Sequence, residues 1–218
     1  MNSILFRRSV RSLAFLLAVS VAGSAEATEA VLRALKGRVT VRTAHSKKLI
    51  IAKPGLRLHS NDQLRTGPDA AAQLVFESGA TVLVKQKSKL AIKGDRLGTL
   101  LSFDVGEFLI GLRRKLKPTE SFRVRTPAAV AAVRGTLFWG LSDAQKMSHY
   151  ACFTGIVEIK AKGHTLTLTP GQKVEIPLNH PPKLSGPSDI APEYMKTFAV
   201  DGSIQGLDDL LKTDAAPK

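Results

Sequence analysis

A single cysteine in 218 residues excludes any intramolecular disulfide, so the fold must hold by packing and hydrogen bonding. That residue, Cys152, sits in the apolar, strand-like run Tyr150-Ala151-Cys152-Phe153. A thiol in such a setting behaves as a small buried hydrophobe, whereas a reactive thiolate needs charged neighbours. Acidic side chains are scarce, 18 against 32 Lys and Arg, which leaves a formal net charge of +14 and favours anionic partners. Aromatics make up only 6% of the chain, and none is interleaved with its basic runs. Nucleic acid is therefore not an expected partner. The five histidines, His45, His59, His149, His164 and His180, show neither a helical metal spacing nor a nearby Cys, and no metal site is expected from them. G-x-S-x-G, S-x-x-K, P-loop, dinucleotide and paired-acid patterns are all missing, so the chain reads as a non-enzyme with no catalytic residue and no cofactor.

What is present begins with a leader. Arg7, Arg8 and Arg11 form a positive region, Leu13 to Ala22 an apolar core and Ala25-Glu26-Ala27 an A-x-A cleavage signal, the three parts of a secretory signal peptide. Cleavage after Ala27 would give a periplasmic or secreted chain starting at Thr28. The apolar core is about half the roughly 20 residues that span a bilayer, and no later stretch is longer, so no integral membrane segment is expected after cleavage. Charge is unevenly spread: from Asn179 onward four Lys face six Asp or Glu, while residues 28–178 carry the basic excess. An anionic envelope component or an acidic protein surface fits that body.

Apolar residues alternate with polar ones along most of the body: Val39 and Val41; Leu74 and Phe76; Val82 and Val84; Leu90 and Ile92; Leu101, Phe103 and Val105; Val157 and Ile159; Leu166 and Leu168; Val174 and Ile176. A period of two between Gly, Pro, Asn and Asp turns predicts an all-β fold. In the longest run the apolar parity slips, from odd positions through Val105 to even positions Phe108, Ile110 and Leu112, which predicts a bulge or turn at Gly106. Strands that each begin with Gly, at Gly37, Gly106 and Gly155, suggest a solenoid-like twisted stack of short strands. A β-sandwich would show the same local pattern. Three regions follow: a signal peptide over 1–27, a β domain over 28–177, and a Pro-containing, irregular and flexible tail over 178–218, with a short helix at Leu207 to Lys212.

The stretch from Phe122 to Phe138 carries the most specific pattern. Phe122 and Val124 face one side of a strand and Arg123 and Arg125 the other; Pro127 ends the pairing; Gly135 supplies a tight bend before Leu137, Phe138 and Trp139 resume an apolar strand. Together with Asp62-Gln63-Leu64-Arg65-Thr66-Gly67, the run Leu74 to Gly79, and the segments Gly155 to Ile159 and Gly171 to Val174, this pattern resembles the FecR-domain family from about Gly37 to Ile176. The resemblance implies an exported binding or regulatory module. The best-known members of that family also carry a cytoplasmic region and a membrane helix that link the module to a sigma factor; this sequence shows neither and resembles a freestanding version.

Two groups of residues are singled out for function. Asp62, Arg65, Thr66, Gly67, Thr126, Pro127, Arg134, Gly135 and Thr136 match the family motifs and are expected to be structural, with Arg134 pairing internally with a carboxylate such as Asp62 or Glu107. Arg113, Arg114, Lys115 and Lys117 form the sharpest charge run, set between two strands, and are the candidate partner-binding residues. Trp139 and Tyr150 could stack on a sugar, but single aromatics in apolar strands belong to the core.

Overall fold

The computed structural model describes residues 30–45, 47–95, 98–112, 116–117 and 120–200. The chain weaves between two antiparallel-rich ladders. The first ladder receives β1 (Ala30–Lys36), the second β2 (Val39–Arg42) and β3 (Leu49–Ile51); β4 (Arg57–Leu58) returns to the first and β5 (Gln63–Thr66) to the second. β6 (Ala71–Phe76) and β7 (Ala80–Val84) form a hairpin in the first ladder, and β8 (Lys89–Asp95) lies in the second. β9 (Gly98–Leu112) serves both. The hairpin β10 (Phe122–Arg125) and β11 (Val130–Val133) then extends the second ladder, β12 (Leu137–Ser142) and β13 (Ser148–Thr154) the first. β14 (Val157–Ala161) and β15 (His164–Leu168) follow in the second, β16 (Gln172–Ile176) and β17 (Lys183–Pro187) in the first. Through β9 the whole is one continuous 17-stranded sheet, in which β9 and β10 make the parallel pairing Thr99↔Phe122 to Ser102↔Arg125.

The parity slip at Gly106 marks the place where β9 changes ladder. Up to Val105 the strand pairs with β8, with Asp104 bulged out between the Leu90↔Phe103 and Lys89↔Val105 pairs; from Gly106 it pairs with β12. Leu101 and Phe103 therefore face the core before the slip, and Phe108, Ile110 and Leu112 after it. Gly106 has φ +136°, and a Cβ there would fall on the Ser88 side chain, so only glycine fits. The other two strand-opening glycines, Gly37 and Gly155, also have positive φ and also sit at crossings between ladders. The repeat seen in the sequence is the repeat of these crossings.

One core gathers the inner faces of both ladders. Phe76 of the first meets Phe122 of the second edge-on at 5.4 Å between ring centroids, and Phe103 stacks on Phe108 at 4.2 Å across the slip. Each fully buried Phe or Leu of this set contributes about 1.5–3 kcal/mol. A second, smaller cluster covers the outer face of the first ladder, where Leu83, Leu109, Leu137, Trp139 and Ala151 pack under Met195 and Phe198. The helix α1 (Pro192–Lys196) starts this cover, and Phe198 follows it in the same segment. The segment read as an irregular tail therefore contributes a strand and a helix. Its prolines mislead because β17 is an edge strand, where a missing N–H costs no ladder bond, and Pro192 stands in the first helical turn.

Candidate partner-binding surfaces

The motif residues are mostly consumed within the fold. Asp62 is buried, and its carboxylate accepts the N–H groups of Ala44 at 2.8 Å and His59 at 3.0 Å, which fixes the turn before β5. Thr66, at the end of β5, donates its hydroxyl to the Lys85 carbonyl at 2.7 Å and accepts the Ser88 N–H at 2.9 Å. Gly67 donates its N–H to the Arg38 carbonyl at 2.8 Å. Thr126 opens the turn around Pro127, and its hydroxyl donates to the Ala129 carbonyl at 3.2 Å. The same oxygen lies 2.8 Å from the Tyr150 hydroxyl and 2.8 Å from the Ser148 hydroxyl, both on the opposite ladder. Burial pushes the Tyr150 phenol far above its ordinary pKa, against the opposing pull of the Thr126 bond. Tyr150 is thus a core residue that bolts the ladders together.

At the β11–β12 crossing, Gly135 has φ +75°. Its carbonyl oxygen lies 2.5 Å from where a Cβ on Gly155 would stand, so the two crossings abut backbone to backbone. Thr136 next to it is fully buried, and its hydroxyl has no hydrogen-bond partner among the described residues. Arg134 and Arg65 are exposed. The expected pairing of Arg134 with Asp62 or Glu107 does not occur: Asp62 serves the Ala44 and His59 amides, and Glu107 is engaged elsewhere.

Glu107 sits at the centre of a polar knot on the outer face of the first ladder. One carboxylate oxygen accepts the Trp139 indole N–H at 2.8 Å and the Tyr194 hydroxyl at 2.7 Å; the other lies 3.7 Å from the Lys85 ammonium. Lys85 in turn stands 3.9 Å from the Tyr194 ring centroid and 4.4 Å from that of Phe198. Burial lowers the Lys85 pKa while Glu107 holds it up, and burial followed by Glu107 raises that of Tyr194. Trp139 is 6% exposed and belongs to this layer, so it offers no open ring to a sugar. Nothing in the sequence pattern linked Tyr194 to Glu107, since 87 residues separate them.

Among the described residues, two grooves lie open on the second ladder. One, of about 800 Å³, runs past Leu116, Phe122, Arg134, Gly135 and the exposed Ile156. The other, of about 360 Å³, is lined by Gln63, Lys89, Lys93, Ser102, Asp104 and Arg125. Of the proposed charge run, Arg113, Arg114 and Lys115 lie outside the described residues; Lys117 is exposed and its N–H donates to Glu120 at 3.1 Å. Among the described residues no cluster of three His, Cys, Asp or Glu is placed to hold a metal, and no helix is long and apolar enough to cross a membrane. The signal-peptide residues and the helix expected at Leu207 to Lys212 also lie outside the described residues.

Residues 62–158 match the family model described as FecR protein. Two crystal structures of a proposed anti-sigma factor from Parabacteroides distasonis ATCC 8503 share the fold, each with a TM-score of 0.52 at 16% sequence identity over 62% of this chain. The match spans 64% of the length of those chains. No curated protein matches the sequence.

Proposed function

We propose that this chain is an exported, nonenzymatic regulatory module that recognises a protein or an anionic envelope component. The observation that carries the reading is the FecR match at residues 62–158, whose buried Asp62, Thr66 and Thr126 are engaged in holding turns and ladders together. Such a module acts by presenting surface. The leader at 1–27 and the basic excess of residues 28–178 support action outside the cytoplasm on partners of opposite charge. A sensor half that works through a separate membrane-bound signalling protein is the second reading, favoured by the shared fold with a proposed anti-sigma factor.

Crosslinking in intact cells, followed by identification of the captured partner, tests both. Recovery of a membrane signalling protein supports the second reading, and recovery of an envelope component or another exported protein the first. Repeating the capture with Arg113, Arg114, Lys115 and Lys117 replaced by Ser shows whether that run contributes. A reproducible hydrolytic activity lost on a single polar substitution would overturn the nonenzymatic reading. Intact mass from the periplasmic fraction should give a chain beginning at Thr28; a retained leader in the membrane fraction would mean an anchor.

A further inference from the structure

The outer face of the second ladder is laid out by strand register. Reading straight across the strands, Arg42 stands opposite Gln63, then Ala91, Ser102, Arg125, Val130 and Lys160. Each step is about 4.8 Å, the spacing of paired strands. On either side of this row, one pleat away, Arg65 pairs with Lys89, and Lys93 stands in register with Leu100 and Arg123. Small residues thus form a floor at Ala91 and Ser102, and cations rise around it at Lys89, Lys93 and Arg125; this is the groove of about 360 Å³. Lys93 and Arg125 are exposed.

The groove already holds one carboxylate. Asp104 bulges out of β9 into it, and one of its oxygens lies 2.7 Å from the Lys89 ammonium. Its pKa is lowered, first by that bond, which burial opposes, and further by the charges of Lys89, Lys146 and Arg65. Both partners are largely open, at 40% and 58% exposure, so the pair adds little to stability. It does display how a carboxylate sits there. A lipid bilayer would need a flat or convex face, and a nucleic acid would want exposed rings to stack on; the lining offers a concavity and no exposed aromatic.

From this placement we infer that the Lys89, Lys93 and Arg125 groove is a docking site for an acidic, extended segment of a partner protein, whose Asp or Glu side chains enter beside Asp104. Arg125 supplies the bidentate donor that a carboxylate prefers, and the two lysines add point charge. Asp104 opposes the ligand by like-charge repulsion. The inference deepens the binding role proposed above and rests on it.

The test is calorimetric titration of the mature chain, at low and high salt, with a Glu-rich oligopeptide as probe. A sulfated glycan oligomer and vesicles of anionic phospholipid form the comparison arms. Lys89→Ser, Lys93→Ser and Arg125→Ser combined should weaken peptide binding by about tenfold or more. Asp104→Asn should tighten it by about threefold, a gain that a purely structural role would not produce. The inference is overturned if the triple variant binds like the parent, if Asp104→Asn binds no tighter, or if only the glycan or the vesicles bind. Should the triple variant fail to fold, Asp104→Asn alone decides. Crosslinking in cells that survives the triple substitution would sink the groove and leave the broader function standing, whereas absence of any crosslinked partner would sink that function even if the peptide binds.

Discussion

Two threonines of the same motif set make opposite contributions, and the difference is a matter of partners. Thr126 is buried with its hydroxyl bonded to Ala129 and in contact with Tyr150 and Ser148, whereas Thr136 is buried with a hydroxyl that has no partner among the described residues. Thr126→Val should destabilise by about 1–3 kcal/mol, because it strands the Tyr150 and Ser148 hydroxyls, while Thr136→Val should be neutral or stabilising by about 1 kcal/mol. Denaturant melts of the two variants check the contrast, and equal losses would mean that Thr136 has a partner after all. Gly135→Val should cost about 1–3 kcal/mol, since φ +75° excludes a β-branched side chain; a melt like the parent's would remove the bend. The two tyrosines of the chain offer a pH readout, as burial raises the pKa of both Tyr150 and Tyr194. A raised value favours the neutral phenol in the folded chain. Their contribution to stability is therefore complete below the ordinary phenol value of about 10 and is lost as pH climbs through the folded values. Ultraviolet difference absorbance should show almost no tyrosinate near pH 10 in the native protein, and a large signal at that pH once denaturant is added.

At the scale of elements, α1 and Phe198 act as a strap over the outer face of the first ladder. Phe198→Ala should release the strap, because Phe198 is its fully buried anchor and also flanks Lys85. Trp139, the only tryptophan, lies under it and should change its emission, while amides of residues 194–199 lose protection from hydrogen exchange. Retained protection together with unchanged emission would show that the knot at Glu107 holds the strap without Phe198. This strap was not legible in the sequence, since Pro182, Pro187 and Pro192 read as irregular and a helix of five residues leaves no periodic trace. The alternating strands were legible wherever large residues alternate, as at Val39 and Val41 or Leu90 and Ile92. β11 was not, because Ala131 and Ala132 look alike although Ala131 faces the core. Assignment of each strand to its ladder was also hidden, since a period of two is the same in a stack and in a sandwich. The site divides in the same way. Arg113 to Lys117 drew notice by contiguity, whereas Lys89, Lys93 and Arg125 belong to strands that meet only through β9. The available signal was the outward position of Arg123 and Arg125 beside the inward Phe122 and Val124.

For the whole molecule, the question is whether two ladders mean two folding units. The covalent and packing evidence points to one. β9 runs through both ladders, Phe103 and Phe108 stack across its change of side, and Phe108 also meets Phe138 and Tyr150 of the first ladder. The Thr126–Tyr150 contact ties the second ladder to the first at a further point. Neither ladder can lose its inner face without exposing that of the other, so melting should be a single cooperative transition. The chain supplies one reporter in each layer: Trp139 in the outer layer and Cys152, the single, buried cysteine, in the core. Tryptophan emission and the rate of thiol labelling, followed through a denaturant series, should give coincident midpoints. Phe108→Ala should lower both midpoints together, with a loss of stability of about 3–5 kcal/mol, the usual cost of emptying a buried Phe site. Midpoints that separate in the parent, or a substitution that moves the thiol midpoint and leaves the tryptophan one in place, would show that the outer layer and core unfold independently. The strand shared by the two ladders would then be a hinge between units instead of their common spine.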